Sequence, residues 1–208
     1  VSKDSVIVGI AGVFFGLLVG WIIGSQQGGG RAAPPPASAA PAAPAASSSN
    51  GQQAPAALDE GRASALKTTA QQNRSDVASR VELGNMYFDA GRYPEAADWY
   101  QQALAINPRD ANVSTDLGIA YYYMNDPDKA LTQFDTSLAI DPQHAKTLMN
   151  IGIVRAFGKQ DLKGAAAVWQ KIIDVAPSSE EARAARQALD GIRSAHPELG
   201  GGKPPGSP

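Results

Sequence analysis

The chain contains no cysteine, which excludes disulfides, thiolate metal sites and lipidation through a thiol. That absence suits an oxidising compartment without demonstrating one. Histidine is nearly missing as well: His144 and His196 are the two present, far apart in sequence, and neither has a carboxylate or second imidazole at ligand spacing. Both read as surface residues. No phosphate loop, zinc-protease helix or nucleophile elbow occurs, so no enzyme, metal or cofactor is expected. Gly200, Gly201, Gly202 and Lys203 lack phosphate-loop spacing and a following helix, and residues 197–208 read as a disordered tail. An excess of positive charge is lacking too. Residues 59–199 hold 15 Lys or Arg against 19 Asp or Glu, 15 minus 19 or −4, which argues against binding a polyanion such as nucleic acid.

Residues 25–57 have almost no charge and no aromatic residue. A stretch of Gly, Ala, Pro, Ser and Gln cannot bury enough apolar surface to order itself and reads as a disordered tether. As a random coil of about 33 residues it spans roughly 30 Å, and fully extended about 100 Å.

Ahead of the tether, after a short tail at residues 1–5, Val6–Gly24 is uncharged and rich in Val, Ile, Phe and Leu. A helix of that length crosses about 30 Å of hydrocarbon, so a single transmembrane helix is expected. The rival reading is a cleaved signal peptide with Ala37, Ser38 and Ala39 as its small-residue site. Against it, a signal's apolar core is usually about 7 to 15 residues, and these three lie well beyond the apolar run. Within the span Gly12, Gly16, Gly20 and Gly24 recur every fourth residue on one helical face. They read either as a packing face for a homo-oligomer or partner helix, or as the ordinary abundance of glycine in membrane helices. Lys3 and Asp4 before the span and Arg31 after it leave the positive-inside bias nearly balanced.

What the chain does have is a repeat. Leu83, Gly84, Tyr87, Ala96, Tyr100, Ala103 and Pro108 return 34 residues later as Leu117, Gly118, Tyr121, Ala130, Phe134, Ser137 and Pro142. A third pass gives Ile151, Gly152, Arg155, Ala165, Trp169, Ile172 and Pro177, with one extra residue in the turn between its two helices. Large apolar residues fall three and four apart in two runs per copy, so each copy predicts two helices. The small residues mark close crossings, and the closing proline breaks the second helix. Helices are predicted over 77–90, 94–106, 111–124, 127–140, 145–158 and 162–175. Asp126 before Pro127 predicts a helix start, and Gly91, Asn125 and Gly158 predict left-handed stops. Residues 58–76, with Leu66, read as a leading half-repeat. Residues 179–196 read as a capping helix, with a capping-box spacing of Ser178 and Glu181 ahead of Ala182, Ala185, Leu189 and Ile192.

This pattern resembles the tetratricopeptide repeat, and the resemblance covers about half the chain. It implies an all-α solenoid of three helical hairpins at 77–110, 111–144 and 145–178. It further implies recognition on a concave groove lined by the first helix of each pair. Carried over by position, the groove holds Ala78, Val81, Glu82, Asn85, Phe88 and Asp89, then Asn112, Thr115, Asp116, Ile119, Tyr122 and Tyr123. The third copy adds Lys146, Met149, Asn150, Ile153, Ala156 and Phe157. Ile119, Ile153 and Phe157 read alternatively as packing between hairpins. Tyr122 is the foremost contact residue, because Tyr121 already takes the core position. Trp169 is expected in the core and Trp99 partly exposed on the convex side. Family members that clamp a carboxylate place Lys, Asn, Asn, Lys and Arg where this chain has Val81, Asn85, Asp116, Lys146 and Asn150, so that clamp is disfavoured.

The resemblance therefore implies an adaptor whose partner is a protein or peptide. Its architecture is similar to bacterial envelope proteins that hang such repeats from an amino-terminal anchor, among them cytochrome c maturation subunits that hold apocytochrome. A structural scaffold assembled through the glycine-lined helix is the alternative. With a short amino tail in the cytoplasm, the repeats of an inner-membrane protein would lie in the periplasm.

Overall fold

The computed structural model describes residues 55–197. The expected transmembrane helix at 6–24 with its glycine stripe, the tether up to residue 54 and the tail from 198 lie outside the described residues. Eight helices and no strand are found among the described residues: α1 (Glu60–Gln72), α2 (Val77–Asp89), α3 (Tyr93–Ile106), α4 (Ala111–Tyr123), α5 (Pro127–Ile140), α6 (Ala145–Ile153), α7 (Leu162–Val175) and α8 (Glu180–Ala195). A π-helical turn, Val154–Gly158, continues α6.

Carboxylates start most of these helices. Asp59, Asp76, Asp110, Asp126 and Asp161 each accept from a backbone N–H one turn on, at 2.8–3.2 Å, satisfying a donor that the helix leaves open. Each such cap contributes about 1 kcal/mol. For α8 the cap is Ser179, which accepts from the Ala182 N–H at 3.0 Å; the Ser178–Glu181 box does not form, because the helix starts one residue later than that spacing requires.

Each hairpin closes through a glycine facing an aromatic ring. A Cβ on Gly84 would sit 2.4 Å from the Tyr100 ring, one on Gly118 2.5 Å from Phe134, and one on Gly152 2.0 Å from Trp169. The rings are buried, as are Leu83, Leu117 and Ile151 beside the glycines and Ala96, Ala130 and Ala165 on the facing helices. Helix pairs therefore approach closely at a small residue and fill the adjoining space with one large one.

The third copy absorbs its extra residue in an unexpected place. In the first two copies the N-cap amide returns to the same repeat position, Arg92 to the Tyr87 carbonyl (2.8 Å) and Asp126 to Tyr121 (3.0 Å). Asp161 makes the equivalent bond to Arg155 (2.8 Å), one residue further along the chain, and the slack is taken up by the wide turn closed by Lys159 N–H to Val154 O at 3.0 Å. The first helix is thus α-helical only to Ile153, not through 158. Left-handed residues stop the other two first helices at Gly91 (φ 71°) and Asn125 (φ 62°), but the third lies at Gln160 (φ 56°), not at Gly158. Gly158 is used for closeness instead: a Cβ there would lie 3.0 Å from Pro127 and 3.1 Å from Tyr122.

At the front, α1 buries Ala63 and Ala70 and leaves Leu66 half-buried. The end of the expected tether is held, since Ala56 N–H donates to the Asp89 carbonyl at 3.0 Å. At the back, α8 buries Ala182, Ala185, Ala188 and Leu189.

Candidate functional site

The first helices of successive pairs touch, α4 on α6 and α6 on α8, and Phe88 of α2 meets Tyr123 of α4. Helices α2, α4 and α6 therefore share one side of the stack, the side that the repeat resemblance makes the inner face. Charge on that face is largely paired. Lys146 Nζ lies 2.6 Å from Asp116 Oδ1, with side chains 24% and 16% exposed. Burial pushes the Asp116 carboxyl above its ordinary value, and Lys146 opposes that only in part. The pair joins α4 to α6 but adds little net stability, because two partly dehydrated charges repay their desolvation poorly. Lys146 thereby spends one of its three N–H donors, and much of its charge, on Asp116. Glu82 is matched in the same way by Arg62 of α1, whose Nε donates to it at 2.8 Å.

Asn85 accepts from the Tyr100 hydroxyl at 2.7 Å, which fixes its amide with the N–H groups turned away from Tyr100. Burial raises the Tyr100 phenol, and Asp116 and Asp89 add to the rise, so both carboxylates act on this one hydroxyl. Asp89 is exposed. Two residues expected to contact a ligand belong to the framework instead. Met149 is 1% exposed and its carbonyl accepts from Trp169 Nε1 at 3.2 Å. Asn150 is buried and donates to the Lys146 carbonyl at 2.8 Å. Ile119 and Ile153 are likewise buried, and Phe157 is half-buried.

Asn112 is exposed and serves a polar seam between α4 and α6. Its Oδ1 meets His144 Nε2 at 3.2 Å, His144 Nδ1 meets Thr147 Oγ1 at 2.6 Å, and Thr147 meets Thr115 Oγ1 at 2.6 Å. Thr115 donates to the Ala111 carbonyl (2.7 Å), so its oxygen accepts from Thr147, and Thr147, its single proton spent there, accepts from His144 Nδ1–H. Burial lowers the His144 imidazole below its ordinary value. His144 is thus not a plain surface residue, contrary to the expectation for a turn. Its partners lie 29 and 32 residues away in Thr115 and Asn112, a pairing invisible to ligand-spacing arguments.

The turn end of the inner face carries an aromatic group. Phe88 meets Tyr93 and Tyr123 edge-on, each at 5.2 Å between ring centres, and Tyr93 lies 4.8 Å from Tyr123. Tyr122 joins at 6.1 Å from Tyr123 and rests on Gly158 of the next pair. All four rings are half-buried. Burial raises the phenols of Tyr93 and Tyr122, and that of Tyr123 to about 12. Met124, 42% exposed, follows directly in sequence. Tyr93 escapes a sequence reading confined to first helices, since it opens the second helix. Proximity of that residue to the C-terminal end of α2 was the available signal.

On the other side, Trp99 is half-buried and lines a cleft of about 580 Å³ with Ala70, Arg74, Gln102 and Ile106. No group of three or more His, Asp or Glu able to hold a metal occurs among the described residues, and no described helix is long and apolar enough to cross a membrane.

Comparison with known proteins agrees with this geometry. Two family signatures match, one described as TPR repeat over residues 84–125 and one as tetratricopeptide repeat over 111–144. The first repeat domain of Spaghetti (RPAP3), solved with an HSP90 peptide of sequence SRMEEVD, is 25% identical with a TM-score of 0.51, over 57% of this chain and 94% of that one. The Sgt2 domain from Aspergillus fumigatus is 25% identical with a TM-score of 0.52, over 64% and 87%. MamA shares the fold alone, at 18% identity and a TM-score of 0.55 over 67% and 76%. No curated protein sequence matches significantly. Residues 84–144 therefore carry tetratricopeptide repeats, set in an all-helical solenoid.

Proposed function

We propose that the chain is a single-pass, membrane-tethered adaptor that captures a partner protein or peptide on the inner face of its repeats. The observation that carries this reading is selective exposure of aromatic surface. The fold buries Tyr87, Tyr100, Tyr121 and Phe134, yet leaves Phe88, Tyr93, Tyr122 and Tyr123 half-open along one edge. Large rings kept partly wet beside amide and carboxylate groups are what anchors a peptide and sets its register. A similar fold solved with a bound peptide supports the same use.

The membrane part of the proposal rests on the apolar run Val6–Gly24, followed by a low-complexity stretch long enough to let the repeats sample space near a bilayer. Placement of the repeats in the periplasm, and self-association through Gly12, Gly16, Gly20 and Gly24, belong to the same proposal. Purification of the full chain from membranes tests it. Tyr122→Ala should release a copurifying partner while the chain remains membrane-bound. Retention of the partner by Tyr122→Ala, with loss on Gly16→Leu and Gly20→Leu, would make the chain a scaffold instead. Lys146→Glu is unsuitable as a probe, because it would set two carboxylates against each other where Lys146 now meets Asp116.

A further inference from the structure

The cleft beside Trp99, about 580 Å³ in volume, is bounded by α1, the first turn of α2 and α3, and none of the residues lining it is an inner-face position. Two arginines line it, Arg74 from the turn after α1 and Arg80 from α2, and no acidic residue does. Arg80 is buried and donates to the carbonyls of Ala70 (2.8 Å), Asn73 (3.3 Å) and Asp76, which uses three of its five N–H groups. Carbonyls fix its place without neutralising its charge. Unlike Arg62 and Arg92, which meet Glu82 and Glu95, neither arginine of the cleft has an ion pair among the described residues. Asp76, between them in sequence, spends its carboxylate on the Ser79 N–H at 3.2 Å.

The remaining lining suits a ligand that is part anion and part ring. Arg74 is exposed, so its guanidinium is open to a ligand. Trp99, half-buried, adds an indole face and an N–H, the exposed Gln102 an amide, and Ala105 and Ile106 an apolar wall. Residues 59–199 carry a net charge of −4, so this cleft gathers the sign that the domain otherwise lacks. An anionic bilayer would meet the negative domain over a wide area and be repelled. A single carboxylate entering the cleft instead meets two guanidinium groups well inside the screening distance of about 8–10 Å. The volume falls in the range of about 300–1,000 Å³ typical of ligand clefts, enough for one acidic side chain with one ring beside it.

We propose that this cleft is a second binding site, outside the inner face, and that it takes an acidic side chain of a partner protein with an aromatic residue next to it. Arg74 and Arg80 receive the carboxylate, and Trp99 with Ile106 receives the ring. The site stands independently of the inner-face reading. With both in use, one chain holds two partners at once, which is what an adaptor does.

The test uses the full chain in phosphatidylcholine nanodiscs with Trp21, Trp99 and Trp169 replaced by fluorotryptophan and read by fluorine NMR, the Trp99 signal being assigned through Trp99→Phe. The probe is the peptide Ala-Glu-Phe-Ala, blocked at both ends so that glutamate is its one charge. A saturable shift of the Trp99 signal is expected, while that of the buried Trp169 stays in place. Binding should weaken about tenfold when the probe is Ala-Gln-Phe-Ala, and about tenfold for the glutamate peptide on Arg74→Gln, as for a charge-assisted contact. Tyr122→Ala should leave all of this unchanged, which separates the cleft from the inner face. The absence of a saturable shift up to about 10 mM peptide, equal binding of the two peptides, or indifference to Arg74→Gln would overturn the assignment. A Trp99 shift on exchanging the lipid for phosphatidylglycerol, with no response to the peptide, would give the cleft to lipid headgroups and refute the peptide occupant. Arg74 is exposed, so its substitution leaves the fold intact.

Discussion

Replacing Gly118 by alanine tests the way each hairpin is built. The new Cβ would lie 2.5 Å from Phe134 Cε1, 2.6 Å from Cδ1 and 3.2 Å from Cζ. Ordinary carbon contacts need about 3.5–4.0 Å, so the ring must retreat by about 1 Å. Phe134 is fully buried, and overpacking of that kind costs about 1–3 kcal/mol. Alanine's helix propensity returns about 1 kcal/mol relative to glycine. With the overlap at the severe end, the net loss is about 2 kcal/mol, or a fall in Tm of roughly 4–8 °C for a chain of this size. Urea titration followed by far-UV circular dichroism measures it. Phe134→Leu removes the opposing ring edge, and in that background Gly118→Ala should cost nothing or stabilise slightly, giving a coupling of about 2 kcal/mol in the double-mutant cycle. A gain in stability from Gly118→Ala alone, or the same loss in both backgrounds, would refute the crossing-point argument.

Two other predictions concern local features. Burial holds the His144 imidazole below its ordinary value, so the unfolded chain takes up the proton first. Stability from this site is complete above about pH 6.5 and is lost as pH falls through the depressed folded value; His144→Asn should flatten that acid-side slope in Tm against pH, and an unchanged slope would place the titration elsewhere. Gln160 sits at φ 56°, a conformation costing an L-residue about 1–2 kcal/mol. Gln160→Gly should therefore raise stability by up to about 1 kcal/mol after the entropy of the unfolded glycine is counted, and a loss in denaturant titration would contradict it.

The repeat itself was legible because spacing and residue size encode it directly. Gly84 with Tyr100, Gly118 with Phe134 and Gly152 with Trp169 each lie 16 or 17 residues apart within a single hairpin, so local sequence dictates which small residue meets which ring. Asp126 before Pro127 was legible for the same reason, as a cap acts within one turn. The third copy was harder. One inserted residue can be housed in a turn or in a widened helix, and the choice of Val154–Gly158 depends on Asp161 keeping its bond to Arg155, an energy no residue spacing reports.

The candidate site shows the same division. Sequence alone determined that the chain stacks helical pairs, and which positions lie on their first helices, because periodicity is a property of the backbone. Only the tertiary structure decided which of those side chains remain available to a ligand. Lys146 is engaged by Asp116 from 30 residues away, Met149 and Asn150 are closed over by neighbouring helices, and Tyr93 joins Phe88 and Tyr123 from a helix outside the expected set. Exposure and charge pairing are set by what packs against a residue from the next repeat, and that is fixed by the superhelical geometry of the stack.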